Sequence, residues 1–198
     1  MSRHARASVA AALLTIECFA NCLLGMLEMP HALREDLDKL QPLAKIEIAL
    51  HITGNTTHDR GRREVQKAVE VIKVRNDYVH SKAKKMNAAL HDPRDAGPES
   101  MIPLDIEDDL WKVLGIPKQS MFWSKDVSHA ILKVVRDFLK YVLVDVMQAD
   151  HDKLVDLLLS HLAFGNLIIP AVFDEFKREV ASLQSQKIDF SFLVILDN

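Results

Sequence analysis

Residues 69–85 read VEVIKVRNDYVHSKAKK, and the interpretation of the chain depends on this stretch. Its apolar residues recur at the spacing of an α-helix, in which successive side chains turn by about 100°. Arg75, Asn76 and His80 nevertheless fall in or beside the apolar face. Polar groups in such places cost free energy unless they have partners. The stretch therefore predicts a helix whose polar side chains have partners or a function.

A helical wheel over residues 63–89 gives two adjoining apolar strips and one polar face. The first strip centres on Ile72 with Val65, Ala68, Val69 and Val79, the second holds Val71, Val74 and Tyr78, and the polar face holds Gln66, Glu70, Lys73, Asp77 and Lys84. A helix that is apolar around more than half of its circumference is covered on two sides. We expect its own bundle on one side and a second protomer or an insertion of the chain on the other.

The three polar residues of this helix differ in what they can reach. Asn76 and His80 are four residues apart and can touch directly. Arg75 lies about 140° from His80 on a straight helix, so it reaches that imidazole through its long side chain or across a dimer.

The flanking segments predict a helical bundle, because only 6 glycines and 7 prolines occur among 198 residues. Besides the helix from about Arg63 to Ala89, we predict helices over about 8–29, 42–54, 126–148, from Asp150 onward and over about 171–185. The prediction is one all-α domain of five or six helices over residues 1–198, with an insertion at about 91–125 after the third long helix. The segment 188–198 has a β-like composition, and no position in the fold is predicted for it.

Single residues fix several of these elements. The first helix has a buried stripe made of Val9, Leu13, Ile16, Ala20, Leu23 and Leu27. Pro42 is expected in the first turn of the next helix and Asp150 at the N-cap of the fifth. The insertion holds four of the seven prolines and predicts at most a helical turn at 105–114. Its apolar residues, which include Trp111, predict that it packs against the bundle.

The N-terminus resembles a secretory signal, since basic MSRHAR precedes apolar ASVAAALLTI. Glu17 closes the apolar run, however, and no small-residue cleavage site follows it. Cys18 and Cys22 stand four residues apart in one helix, where a disulfide fits badly, so both are expected to be reduced and buried. These features predict a core helix in a cytoplasmic protein that has no membrane segment.

Composition and motifs exclude several classes of function. The formal net charge is −3, so the chain as a whole does not have the charge of a nucleic-acid-binding protein, and a local basic patch would have to serve that role. The loop GNTTHDRGRR lacks the Lys-Ser/Thr ending of a phosphate-binding loop. No second Cys/His pair stands at a zinc spacing, so neither a metal nor a cofactor is predicted.

The segment RNDYVH, Arg75 to His80, resembles the signature of HEPN domains (higher eukaryotes and prokaryotes nucleotide-binding). That signature is an arginine, usually followed by a polar residue, and a histidine four to six positions on. Its setting late on the third helix of a small bundle is similar too, and ECFANCLL, from Glu17 to Leu24, looks like the first helix of bacterial HEPN-like proteins. The resemblance covers about residues 8–90 and extends to the helices after 126.

The resemblance implies a metal-independent endoribonuclease that acts as a homodimer and in which the RNA 2′-hydroxyl attacks the adjacent phosphate. Histidine titrates near neutral pH, so His80 can accept or donate a proton. Arg75 can stabilise the added charge of the transition state with its planar fork of donors. Asn76 would orient His80 or bind a phosphate oxygen, and Glu17 and Asn21 would hold Arg75. The expected setting is phage defence or a toxin–antitoxin pair, with an antitoxin or another protein as partner.

The residues after the motif are candidates for RNA contact. Ser81, Lys82, Lys84 and Lys85, with Arg60, Arg62 and Arg63, form the most basic neighbourhood of the chain. HEPN toxins that are controlled by a nucleotidyltransferase commonly have a tyrosine two residues after the histidine. Lys82 occupies that position here, which argues against modification by such a partner.

Non-catalytic interpretations fit the same residues. The polar trio is then a network that fixes the helix or recognises a nucleotide, an RNA or a protein partner in a dimeric HEPN-like module. Glu17 and Asn21 would make only hydrogen bonds within or between helices. The lysines after His80 would be a solvated helix end, where cations interact favourably with the helix dipole.

Overall fold

The computed structural model describes residues 3–80, 88–90, 104–106, 109–150, 153–154, 157, 163–164, 167–168 and 170–193. The helices are α1 (Arg3–Gly25), α2 (His31–Asp38), α3 (Pro42–Gly54), α4 (Arg63–Val79), α5 (Lys125–Lys140) and α6 (Pro170–Ser185), and a π-helical segment (Tyr141–Val146) continues α5. The strands form three antiparallel pairs: β1 (Ala88–Leu90) with β2 (Leu104–Ile106), β3 (Leu110–Trp111) with β4 (Ile116–Pro117), and β5 (Ala163–Phe164) with β6 (Leu167–Ile168). The described part of the chain is mostly helical, which confirms the predicted class.

Helix α1 lies at the centre of the bundle and packs against α3, α4 and α5. Every residue of its predicted apolar stripe is buried: Val9, Leu13, Ile16, Ala20, Leu23 and Leu27. Across from it, α5 buries Ile131 and Phe138 completely. Burial of such side chains is the main favourable term in folding, so the packing of α1 against α3, α4 and α5 contributes much of the stability of the bundle.

Within the described residues, α1 is also the one helix long and apolar enough to cross a bilayer by length and composition. Its most apolar 18-residue window has a mean hydropathy of 1.8, and 44% of that window is buried inside the bundle.

The predicted helix boundaries need several corrections. Helix α1 begins at Arg3 and ends at Gly25 rather than spanning 8–29, and the short segment after Pro30 forms the separate helix α2. Pro42 and Gly54 bound α3 as predicted. Helix α4 ends at Val79, ten residues before the predicted end at Ala89, which lies in β1. At the C-cap, His80 has a ψ of 42°, which lies outside helical geometry.

The buried face of α4 takes residues from both predicted strips. Val71 and Val74 of the second strip are buried, and so are Val65 and Ala68 of the first, all at 0–1% exposure. Each strip also has members outside the core: Ile72 is half-buried, Tyr78 is 39% exposed and Val79 is 51% exposed. Which members are buried depends on where α1 and α5 contact α4.

The described part of the insertion forms a hairpin, not a helical turn, which corrects the prediction for 105–114. Strands β3 and β4 pair across a turn in which Gly115 has a φ of 66°, a left-handed conformation that glycine adopts without strain. Trp111 packs against the core, as predicted for the insertion. The buried Trp123, which follows the hairpin, donates its Nε1 hydrogen to the carbonyl oxygen of Pro117 at 2.9 Å.

Beyond α5, the predicted cap is confirmed, because the Asp150 carboxylate accepts from the amide of Lys153 at 3.0 Å. Leu154 and Leu157 are helical and buried, but strand β5 replaces the expected continuation of that helix. In the tail that the sequence left unplaced, Ile188 is completely buried and a 3₁₀ turn spans Ser191–Leu193.

Candidate functional site

The predicted motif lies at the C-terminal end of α4, where Arg75 meets α1. Nη2 of Arg75 forms an ion pair with Oε2 of Glu17, and Nη1 donates to Oδ1 of Asn76 at 3.0 Å. The side chains of Arg75 and Glu17 are 25% and 31% exposed. Two separate acceptors therefore fix the orientation of a guanidinium group that remains partly accessible to solvent.

His80 is exposed and occupies the C-cap of α4. Its backbone amide donates to the carbonyl oxygen of Asn76 at 2.9 Å. The side chain of Asn76 is half-buried and bonds to Arg75. Asn76 thus connects to His80 through the backbone, whereas its side-chain oxygen accepts a hydrogen bond from Arg75.

Among the residues that the structure describes, no hydrogen bond or ion pair joins Arg75 to His80. Nε of Arg75 is buried and has no hydrogen-bond partner within that part of the chain. A buried donor without a partner costs about 1–3 kcal/mol. One protomer thus provides a fixed, partly neutralised cation and an exposed imidazole at the same end of α4. Within the described residues, no hydrogen bond or ion pair joins the two groups.

Asn21 does not help to hold Arg75, which corrects the prediction that Asn21 and Glu17 together hold that side chain. Its Oδ1 accepts from Nζ of Lys45 at 2.7 Å, and the same ammonium donates to Oδ1 of Asp38 at 2.9 Å. Lys45 is buried at 2% exposure, so its charge needs both partners. Asn21 therefore belongs to a link between α1, α2 and α3, at the edge of a cavity of about 260 Å³.

The predicted basic neighbourhood is divided between two places. Ser81, Lys82, Lys84 and Lys85 lie outside the described residues. Arg60, Arg62 and Arg63 lie at the start of α4, about 25 Å along the helix axis from His80. Arg60 makes two hydrogen bonds to the Glu47 carboxylate, and Arg62 lies over the ring of Tyr141, so both serve the bundle.

Glu70 is a structural residue that the wheel placed wrongly on the polar face. It is 9% exposed, and its Oε2 accepts from the amides of Val113 and Leu114 at 2.7 and 2.6 Å. Nothing in the local sequence predicts this contact, because the donors are backbone groups of a turn more than 40 residues away. Near the other end of α4, the ring of Tyr78 lies 5.2 Å from that of Trp123.

His58 is a second residue whose environment the sequence did not reveal. It is 3% exposed, and neither ring nitrogen has a hydrogen-bond partner in the described structure, although Nε2 lies 3.4 Å from Oε1 of Glu47. Burial lowers the pKa of His58. The hydrogen bonds from Arg60 lower the pKa of the Glu47 carboxyl. A neutral imidazole is therefore packed beside a carboxylate that already has a cationic partner.

The two cysteines are free, as predicted, but neither is fully buried, which corrects the prediction. Cys18 is exposed and Cys22 is half-buried. Burial raises the pKa of the Cys22 thiol. No cluster of three or more His, Cys, Asp or Glu side chains suited to a metal ion occurs within the described ranges.

No protein-family model, curated protein or solved structure matches the chain. The resemblance to HEPN domains consequently rests on the motif residues and their place on α4.

Proposed function

We propose that the chain is a metal-independent endoribonuclease of the HEPN type that acts as a homodimer. The observation that supports this proposal is the Arg75 guanidinium, which Glu17 and Asn76 orient while a quarter of the side chain stays exposed. It lies five residues before the exposed His80. A preorganised cation and an imidazole at one helical end are the two groups that phosphodiester transfer needs.

In the proposed reaction, the RNA 2′-oxygen forms a bond to the adjacent phosphorus while the bond from phosphorus to the 5′-oxygen breaks. His80 accepts the proton of the 2′-hydroxyl, and a second imidazole, that of the partner's His80, returns a proton to the leaving 5′-oxygen. Arg75 stabilises the charge on the phosphate oxygens. The products are a 2′,3′-cyclic phosphate and a free 5′-hydroxyl.

The need for two imidazoles is the reason to propose a dimeric site. One imidazole accepts the proton of the 2′-hydroxyl and the other returns a proton to the leaving oxygen. A second copy of the chain would supply the second imidazole. Ser81, Lys82, Lys84 and Lys85 are proposed to contact the RNA backbone on either side.

The decisive assay incubates end-labelled single-stranded RNA with the protein in EDTA. We expect the wild type to cleave the RNA. In His80→Ala and Arg75→Ala the cleavage rate should fall about 100-fold or more, which is the typical effect of removing a general acid or base. His51→Ala replaces another exposed histidine, and Arg136→Ala another partly exposed arginine paired with a carboxylate. Both controls should cleave like the wild type.

Substitution of a 2′-deoxynucleotide at the cleaved position tests the proposed nucleophile. We expect no cleavage at that position, because the attacking oxygen is missing. Equal inactivity of wild type and His80→Ala towards all-ribose RNA would rule out the nuclease.

The second candidate is a non-catalytic dimeric HEPN-like module that binds a nucleotide, an RNA or a protein partner. The ion pair between Glu17 and Arg75 favours it, since a paired arginine can serve recognition without chemistry. This candidate predicts RNA binding that Arg75→Ala weakens, with no cleavage product. We further propose a cytoplasmic role in phage defence or a toxin–antitoxin pair, with an antitoxin as protein partner and no membrane attachment.

A further inference from the structure

Helix α1 has an exposed face that lacks the charges usual on a surface helix. Between Arg6 and Glu28, Glu17 is the only charged residue. After Arg6, the exposed residues of α1 are Ala7, Ala11, Leu14, Cys18, Asn21 and Gly25. A surface helix normally carries charged and polar residues on the face opposite the core. Asn21 and Gly25 lie beside the cavity towards α2, whose wall also includes charged residues of α2. From Ala7 to Cys18 the exposed residues of α1 are uncharged, which indicates a contact with something else.

The six residues share one face of α1. Their separations are four, three, four, three and four residues, a mean of 3.6, which is the period of an α-helix. Such a face can pack against the same face of another helix. Leu14, 42% exposed, is the large side chain near the middle, and the small residues around it allow the backbones to approach closely.

We propose that this face, the α1 seam, is the contact surface for a second copy of the chain, with the two α1 helices antiparallel. Charge at the ends of the seam supports both the occupant and the orientation. Arg3 and His4 lie at one end and Glu28 at the other, all exposed. With Leu14 opposite the partner's Cys18, the basic end of each helix lies against the acidic end of the other. Parallel helices would bring the two basic ends together, which is unfavourable.

The arrangement also brings the two copies of the Glu17–Arg75 pair towards each other. Glu17 borders the α1 seam and precedes Cys18, so it lies close to the two-fold axis of the antiparallel pair. It occupies the flank that, in antiparallel helices, faces the same flank of the partner. The two Glu17–Arg75 ion pairs therefore converge on one side of the dimer, and each Arg75 lies near the partner's Glu17. A site that is uncoupled in one protomer becomes a cluster of two cations and two carboxylates.

This inference assigns a surface to the homodimer that we propose, and it does not depend on RNA cleavage. A lipid bilayer is the other occupant that an apolar helix could have. The buried face of α1 and the ion pair at Glu17 argue for a protein, because spanning a bilayer would remove α1 from the core that it forms with α3, α4 and α5.

The first test is the mass of the full chain in solution, measured by light scattering after gel filtration. We expect a dimer for the wild type and a monomer for Leu14→Lys, with the same far-ultraviolet circular dichroism because position 14 is exposed in the protomer. Ile52→Lys is the matched control, since Ile52 is a 60% exposed apolar residue on α3. This control should remain dimeric.

A monomeric wild type, or a dimeric Leu14→Lys protein, overturns the inference. Binding of the wild type to neutral phosphatidylcholine vesicles in a flotation assay also overturns it, in favour of a bilayer. A Leu14→Lys protein that stays dimeric and still cleaves RNA would reject the α1 seam and leave the proposed nuclease intact.

The second test uses cysteine cross-linking to determine the orientation. In a Cys22→Ala background, Leu14→Cys should give a disulfide-linked dimer on mild oxidation, because the introduced thiol faces the partner's Cys18. The background protein alone should not cross-link, since its two Cys18 thiols are offset by about 6 Å along the helices. Cross-linking through Cys18 in the background protein, or none with Leu14→Cys, rejects the antiparallel arrangement.

Discussion

Arg75 makes structural contacts through the same atoms that the proposed function would use. Its guanidinium bridges α4 to Glu17 of α1 and also bonds to Asn76 on its own helix. The ion pair fixes the fork in place but reduces its attraction for an anion. Arg75 therefore needs other groups beside it for the proposed chemistry, among them the two imidazoles that a dimer would supply.

His58 gives the clearest pH dependence at the residue scale. Burial lowers its pKa in the folded state, whereas in the unfolded chain a histidine titrates near its ordinary value of about 6.5. Between these two values the unfolded state binds more protons. The free energy of unfolding is therefore highest above about pH 6.5 and falls as the pH drops towards the folded-state pKa of His58.

We expect urea denaturation to give a lower free energy of unfolding at pH 5.5 than at pH 7.5, and His58→Leu to reduce that difference. Glu47, Asp59 and Arg60 face His58, but all three keep their charge in the unfolded chain over this range. His51→Leu, at an exposed position, should leave the difference as it is in the wild type. An unchanged difference in His58→Leu contradicts the assignment.

At the scale of elements, α4 is held from two sides. Helices α1 and α5 cover its buried face, and the hairpin of β3 and β4 is attached to it through Glu70. The contact of Tyr78 with Trp123 links the segment after the hairpin to the last turn, two residues before His80. The described part of the insertion thus packs against α4, the helix that carries the motif, and helps to hold it in position.

Removal of the Glu70 carboxylate should release the hairpin. Glu70→Ala leaves the amides of Val113 and Leu114 without their acceptor, so we expect a loss of about 2–3 kcal/mol in the free energy of unfolding. Glu64→Ala, on the same helix but less buried, should cost less than about 1 kcal/mol. Hydrogen exchange at Val113 and Leu114 measures the local effect, and amides that stay protected in Glu70→Ala would contradict this role.

At the scale of the whole molecule, stability depends on the α1–α5 contact. Ile131 is fully buried there, so Ile131→Ala should lower the free energy of unfolding by about 2–5 kcal/mol through lost burial and a residual cavity. Val144→Ala, at a 40% exposed site, should change it by about 0.5 kcal/mol or less. Denaturation at one fixed protein concentration keeps dimerisation from obscuring the comparison. Equal effects of the two substitutions would show that the core lies elsewhere.

The sequence by itself determined the helical class, the buried stripe of α1, the bounds of α3 and the cap at Asp150. These features follow from local periodicity, from proline and from capping chemistry. Each of these signals depends on residues that are only a few positions apart in the sequence. It also singled out Arg75 and Glu17, because a charge on an apolar helix has few local explanations.

Only the tertiary structure decided which residues of the two apolar strips of α4 are buried, that Glu70 holds a hairpin, that Asn21 bonds to Lys45 and that His58 is buried beside Glu47. The physical reason is the same in each case. These outcomes depend on groups far away along the chain, many of them backbone amides or side chains of another helix, and local spacing contains no information about their positions. The uncharged exposed face of α1 likewise became visible only when its other face was seen packed against the core.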